Sequence, residues 1–488
     1  MSFVRTIVVL CPALVACGSR DLPAPPSSGS TSSTVAAAPG IDLSGPLPLP
    51  ERGGVRRGAA APAMLDLVAD RALVRVDVPV PPRGGAVGFT FGDARTGWVT
   101  RTPEGVRLPA VAFGRDRVYV SGGFESTTFY ALNAHSGAIE WATTELEDNG
   151  PTAAVYEDDR VLFNTESCTL FALDARTGKR LWLRRLGDPT LAQIAVADGL
   201  VFASHPGDGG QELSAYKVTT GEPVWSSSID AELLASPVVA GEAVYVSTLG
   251  GVLYKFTRTT GHRQWARALR ATTAPWVVGD ELYVARRDGD REQQIVVAAD
   301  TGKVVREHAK SRGSYTDDVP TSIGAFGDTN NFWKQVWTFE GSRPVVDRGV
   351  RYVAMGGDVL ASDATTGDPL WTRHYAGADA NARSIGSVAL AGSELVISTR
   401  DGKLFGLDVD TGYTLWSYDL AKRVVAEPVI AEGWVYATTD DGFVVALQVG
   451  DRSLDGWHMF GGNPQHDGAV LPPPPTSREQ VGRQTAAL

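Results

Sequence analysis

A pattern of eleven residues returns through most of this chain, and its period constrains the fold more than any other feature. Its clearest copies carry Ala131, Asn133, Gly137 and Trp141; Ala172, Asp174, Gly178 and Trp182; and Ala361, Asp363, Gly367 and Trp371. Looser copies centre on Gly221, Gly261, Gly302 and Gly412, so successive glycines lie 41, 43, 40, 41, 65 and 45 residues apart. Six of the seven glycines are followed four residues later by a tryptophan: Trp141, Trp182, Trp225, Trp265, Trp371 and Trp416. After Gly302 that place holds Arg306. A period of about 42 residues denotes a stacked array of one supersecondary unit, so 488 residues need not mean three independent domains.

Each unit opens on a β-rich run. Eight such runs are present, at Arg117–Val120, Arg160–Phe163, Leu200–Ala203, Ala243–Val246, Glu281–Val284, Val350–Val353, Glu394–Ile397 and Gly433–Tyr436. A turn pair such as Asp198-Gly199 or Ala240-Gly241 precedes most of them. The Asp-x-x-Thr-Gly stretch marks a second hairpin, in which Asp caps the turn's amides and Gly takes a left-handed conformation. Four short strands per unit follow, and no amphipathic helical run interrupts them. The 54 glycines in 488 residues, about 11% against the usual ~7%, fit a chain built from tight turns.

One small four-stranded sheet cannot bury both of its faces. Stacking eight of them and closing the stack gives an all-β fold over residues 64–470, an eight-bladed β-propeller of four-stranded antiparallel blades. The repeated tryptophans then fall on outer strands, each ring lying against the next blade. Trp141, Trp182, Trp225, Trp265, Trp371 and Trp416 are therefore read as inter-blade docking residues. The last unit, residues 426–449, lacks the Gly and Trp half of the pattern. Either the stretch 93–99, with Gly97 and Trp98, supplies its missing strand, or Gly456–Met459 closes the ring.

The Ala-x-Asp/Asn-x-x-x-Gly-x-x-x-Trp pattern resembles the tryptophan-docking repeat of the pyrroloquinoline quinone (PQQ)-like propellers. That family contains quinoprotein alcohol dehydrogenases and the BamB-type lipoproteins of the outer-membrane β-barrel assembly machinery. The resemblance covers about residues 90–465, with Lys217, Thr257 and Ala298 replacing the acidic residue in three units. The stretch Trp457–Gly468 also resembles a segment at the edge of many such propellers and is read as a ring-sealing loop. For the enzymes of the family the resemblance implies a quinone on a tryptophan floor beside Ca²⁺, under a disulfide between adjacent cysteines, with an Asp as base. Here the three cysteines, Cys11, Cys17 and Cys168, are all apart.

Residues 1–16 read as an export signal, with Arg5 ahead of an apolar run too short to span a bilayer. The run ends in Leu14-Val15-Ala16-Cys17, which resembles the lipobox of bacterial lipoproteins and implies lipid attachment at Cys17. Cys11 then leaves with the signal, and Cys168 is the remaining free thiol. Gly18 rather than Asp after the cysteine implies an outer-membrane lipoprotein facing the periplasm. Residues 17–63, rich in Pro, Ser and Gly, read as a flexible tether, and 471–488 as a disordered tail.

A formal net charge of −11 excludes nucleic acid as a partner, because phosphate binding needs a basic surface. No nucleophile elbow, zinc-protease motif or phosphate-binding loop is present. The seven histidines are scattered without metal spacing and are read as surface or loop residues. Asp317-Asp318 and Asp440-Asp441-Gly442 lack the spacing of a Ca²⁺ loop. No catalytic, cofactor-binding or metal-binding residue is assigned, and no cofactor is expected. One feature stands outside the repeat: the excess within Glu307–Arg343, where Tyr315, Trp333 and Trp337 form a candidate partner loop or an extended hairpin on its own blade. The expected function is a non-enzymatic scaffold that binds a protein of the cell envelope, the resemblance implying the β-barrel assembly machinery. The alternative is a PQQ-dependent dehydrogenase-like enzyme.

Overall fold

The computed structural model describes residues 65–468 except 93, 124–125, 145, 147, 168, 188–192, 289–290, 312–342, 376–384, 387, 425, 459–460 and 464. Among the described residues every regular element is a strand, and the strands form eight sheets. Blade 1 consists of Ala112–Gly114, Arg117–Ser121, Phe129–Asn133 and Ile139–Thr143, paired antiparallel in chain order. Blades 2 to 7 repeat this order over 155–185, 195–229, 238–268, 276–311, 345–374 and 389–419. At six of the eight seams the first strand of one blade lies beside the first strand of the next, so these three-residue strands ring the axis. The fold is the eight-bladed antiparallel propeller that the 42-residue period implies.

Blade 8 is completed by the N-terminal side of the chain. Its inner strands, Val429–Ala431, Trp434–Thr438 and Phe443–Gln448, are followed outward by Arg95–Arg101 and then by Ala86–Phe91. Trp98 pairs with Ala446 in the register that joins Trp141 to Ala131 and Trp371 to Ala361. Trp98 thus holds the docking place although Gly97 directly precedes it. Thr96 and Gly97 of the Asp-x-x-Thr-Gly stretch here lie within the strand instead of in the turn ahead of it, and Gly97 serves another purpose: a Cβ there would lie 2.7 Å from the Phe89 ring.

The preceding residues form a strap along the outer edges of blades 6 and 7. Leu65–Asp66 runs parallel to Pro369–His374, and Val74–Arg75 parallel to Thr414–Asp419. Leu67 is fully buried between them. Arg373, also buried, pairs with Asp70 of the strap at 3.0 Å and lies over the Tyr413 ring.

The seams between blades explain the repeat. Trp98, Trp141, Trp182, Trp225, Trp265 and Trp371 donate their Nε1–H to the carbonyls of Ala134, Ala175, Val218, Arg258, Ala299 and Val409, each on the outer hairpin of the next blade. The glycine of that hairpin sits against the indole face. A Cβ on Gly178, Gly302 or Gly412, all at φ near +70°, would lie 2.6 to 2.8 Å from ring atoms of Trp141, Trp265 or Trp371. The hairpin itself is capped as its sequence dictates, Asp174 Oδ1 accepting from the amide of Thr177 at 2.8 Å and Asp363 Oδ1 from that of Thr366 at 2.7 Å. Where Lys217, Thr257 or Ala298 replaces Asp, the glycine amide still bonds the carbonyl of that residue at 2.8 Å, so the turn survives.

Two seams depart from this scheme. Trp416 faces blade 8, which has no such hairpin, and donates instead to Glu394 of its own blade at 2.7 Å. Between blades 5 and 6 Arg306 takes the tryptophan's place and pairs bidentately with Glu281 of its own blade. The Gly367 hairpin there packs on His308, whose Nδ1 would lie 2.6 Å from a Cβ on that glycine. His308 is buried, contrary to the surface position expected of it. Burial, then the charges of Arg351 and Arg306, hold its pKa down at about 4. A tryptophan from the inner strand, Trp276, bridges this seam through Val346 O at 3.2 Å.

Candidate functional site: the two mouths of the channel

Antiparallel order places the turns between first and second strands, and the outer hairpins, at one end of the ring. At that end the chain's own residues 461–463 and 465–468 form a plug against the innermost strands. Gly456–His458 first pairs with the innermost strand of blade 7, Ala389–Ala391. The segment then crosses to the other side of the ring, where the amides of Tyr156, Val196 and Val239 donate to the carbonyls of Gln465, Asp467 and Gly468 at 2.9, 2.6 and 2.9 Å. These amides belong to the innermost strands of blades 2, 3 and 4, so the plug satisfies groups that would otherwise face the channel.

The stretch from Trp457 to Gly468 owes its composition to this passage. Asn463 and His466 are 1% exposed, and Asn463 Nδ2 donates to Asp467 Oδ1 at 2.8 Å. His466 Nδ1 meets Ala154 O at 3.1 Å, and burial holds the imidazole down at about 4. Like His308 this histidine is buried, here within a loop. Gly468, at φ +76°, leaves no room for a side chain, since a Cβ would lie 2.7 Å from both Ala195 Cβ and Pro237 O. Beside the plug an open cleft of about 360 Å³ is lined by Arg115, Tyr156, Glu157, Asp158, Asp159 and Gln465. Burial, then Asp467 and Asp158, raise the Glu157 carboxyl to about 7.

The opposite mouth is formed by the loops entering each inner strand and by the turns between second and third strands. Gln193, Ser236, Arg343 and Glu427, each two residues before an inner strand, are buried there. Arg107 is held down at about 10, by burial first and then by Arg400. Glu232 is 8% exposed, its Oε2 accepts no hydrogen bond among the described residues, and burial alone raises it to about 7. Asp440 and Asp441 form an ion-paired turn with Arg423 and Lys422 at 3.5 and 3.1 Å.

A quinone needs an indole floor. Nine tryptophan rings are committed elsewhere: seven occupy the docking position on outer strands, Trp276 bridges blades 5 and 6, and Trp434 stands against His135 of blade 1. None of these nine described indoles is placed as a floor for that cofactor. Of the residues singled out from the sequence, Cys17, Cys168, Tyr315, Trp333 and Trp337 lie outside the described residues.

The profile of the family described as Outer membrane protein assembly factor BamB matches residues 84–192, 169–330 and 357–467. The outer membrane protein assembly factor BamB of Yersinia pestis is 27% identical over 309 residues, which span 58% of this chain and 72% of that protein. The crystal structure of BamB from Moraxella catarrhalis is similar with a TM-score of 0.55 and 19% identity, covering 74% of this chain and all of that one. Quinohemoprotein alcohol dehydrogenase ADHIIG from Pseudomonas putida HK5 is similar with a TM-score of 0.55 and 14% identity, covering 72% of this chain and 76% of that one. At these identities the likeness to the two structures shows the fold alone.

Proposed function

The chain belongs to the family described as outer membrane protein assembly factor BamB, and on that premise we propose that it is a non-enzymatic scaffold serving outer-membrane β-barrel assembly through a protein partner in the cell envelope. The observation that carries this reading is the profile match, which reaches all eight blades of the ring. In this reading Cys17 carries the lipid and the propeller faces the periplasm. A coil of about 45 residues reaches on the order of 40 Å, which keeps the ring near the membrane without fixing its orientation.

Partners then dock on the rim and loops. Among the described residues the outer strands of blades 1 to 5 carry no covering strand, unlike those of blades 6 to 8. Leu181 and Val224, on blades 2 and 3, are 48% and 42% exposed there. The segment with Tyr315, Trp333 and Trp337 supplies further anchors. In-cell crosslinking followed by capture through the C-terminal tail tests the proposal: recovery of a barrel-assembly component is expected, and its consistent absence would remove the assembly role. Cys17→Ala is expected to release the protein from membranes.

A further inference from the structure

We propose that Asp116, His135 and Glu432 form a binding site for a divalent first-row transition ion of the Zn²⁺ type, set across the seam at which the ring closes. Asp116 lies on the turn between the first two strands of blade 1, His135 on the outer hairpin of the same blade, and Glu432 on the first turn of blade 8. One donor atom from each lies within 4.8 Å of the other two, and His135 Nε2 is 3.6 Å from Asp116 Oδ1. Bonds of about 2.0–2.2 Å in a tetrahedron put donors roughly 3.3–3.6 Å apart. The three groups therefore stand open by up to about 1.2–1.5 Å, a gap that side-chain rotation closes.

Separate devices bring the three side chains together. The His135 amide bonds Asn133 Oδ1 at 3.1 Å, and its ring stands 5.9 Å from the Trp434 ring across the seam. The Asp116 carbonyl accepts the Ala134 amide at 2.9 Å, which ties the two turns of blade 1 to each other. The Glu432 amide bonds Asp455 Oδ1 at 3.2 Å, placing a third carboxylate beside the site. Glu432 Oε2 is shielded from solvent and accepts no hydrogen bond among the described residues. Its nearest described cation is Arg452 Nε at 3.4 Å, on a side chain 79% exposed, which an arriving ion can displace.

The donor chemistry selects the ion. One imidazole and two carboxylates, with water completing the shell, suit Zn²⁺ and its neighbours, whereas Ca²⁺ takes six to eight oxygens. The position gives the ion a structural effect. Ala134 O, next to His135, is the carbonyl gripped by Trp98 at 2.8 Å and approached by Tyr436 OH at 3.3 Å. A bound ion would join blades 1 and 8 beside that grip. This inference does not depend on the assembly role.

Calorimetric titration of the metal-stripped full chain with ZnCl₂ tests it. One ion per chain is expected to bind, with a raised unfolding temperature. His135→Gln and Glu432→Gln should each weaken binding at least tenfold and abolish the thermal shift, while His262→Gln, on another exposed turn, leaves both unchanged. All three positions are surface turns, so the metal-free variants should unfold at the wild-type temperature. Absence of Zn²⁺ binding, or wild-type binding in both His135→Gln and Glu432→Gln, would overturn the proposal. Ca²⁺ binding as tight as Zn²⁺ would overturn the ion class.

Discussion

The seam between Trp371 and Gly412 lends itself to a double-mutant cycle. Trp371 is 5% exposed, and its Nε1–H bonds Val409 O at 3.0 Å. An indole buries 150–250 Å², so its removal forfeits roughly 4–6 kcal/mol of transfer free energy at ~25 cal/mol per Å². Measured Trp→Ala costs in cores are about 3–5 kcal/mol, and we expect about 4 kcal/mol for Trp371→Ala. Trp371→Phe keeps most of the ring and loses the hydrogen bond, for about 1–2 kcal/mol. Gly412→Ala adds a methyl 2.6 Å from Trp371 Cδ2 on a backbone at φ +69°. Its cost has two parts, about 1–2 kcal/mol for the left-handed backbone and roughly 1–3 kcal/mol for overpacking. Only the second depends on the indole. In the double variant the methyl enters vacated space, so the combined loss should fall short of the sum by about 1–2 kcal/mol. Urea unfolding of the full chain reads all four corners. Additivity within about 0.5 kcal/mol would refute the claim that glycine and tryptophan are two halves of one joint.

Three further outcomes follow from buried groups and from the exceptional seam. His466 is neutral in the folded ring with a pKa of about 4 against about 6.5 unfolded, so its contribution is complete above pH 6.5 and is lost as pH falls toward 4; urea midpoints of His466→Asn should depend less on pH across that window than those of the wild type. Glu232 has the opposite sign: a carboxyl raised to about 7 favours folding below pH 4.5 and loses that contribution as pH rises through 7, so Glu232→Gln should be more stable than wild type at pH 8, by on the order of 1–3 kcal/mol, with the advantage gone at pH 4. Hydrogen exchange should open Val304–Ser311 and Val345–Asp347 before the strands of blades 2 and 3, because the seam between blades 5 and 6 replaces a docked indole with Arg306, Glu281 and His308.

The ring was legible because its joint is written in side chains. Gly137 and Trp141, or Gly367 and Trp371, recur in fixed spacing since each hairpin must accept an indole and each outer strand must present one. Trp98 escaped the pattern because its strand reaches the ring from the other end of the chain, so the spacing from its glycine carries no information. The strap was not legible at all. Leu65–Asp66 and Val74–Arg75 are two-residue parallel strands, too short for a period, and Asp70 finds Arg373 only in three dimensions. The plug shows a further limit: Gln465, Asp467 and Gly468 act through backbone carbonyls, which any residue has, and only the tight fit of Gly468, Asn463 and His466 leaves a mark in the sequence. The burial of His308 in a strand and of His466 within a loop was not legible for the same reason, since nothing adjacent to them in sequence announces burial. Asp116, His135 and Glu432 sit on three different turns, so no local spacing announces their meeting.

The role in β-barrel assembly is tested most directly in cells depleted of this chain, by quantifying β-barrel proteins in isolated outer membranes. The account predicts a fall in their abundance, restored by the wild-type chain and restored poorly by Cys17→Ala. Unchanged β-barrel levels after complete depletion would contradict it.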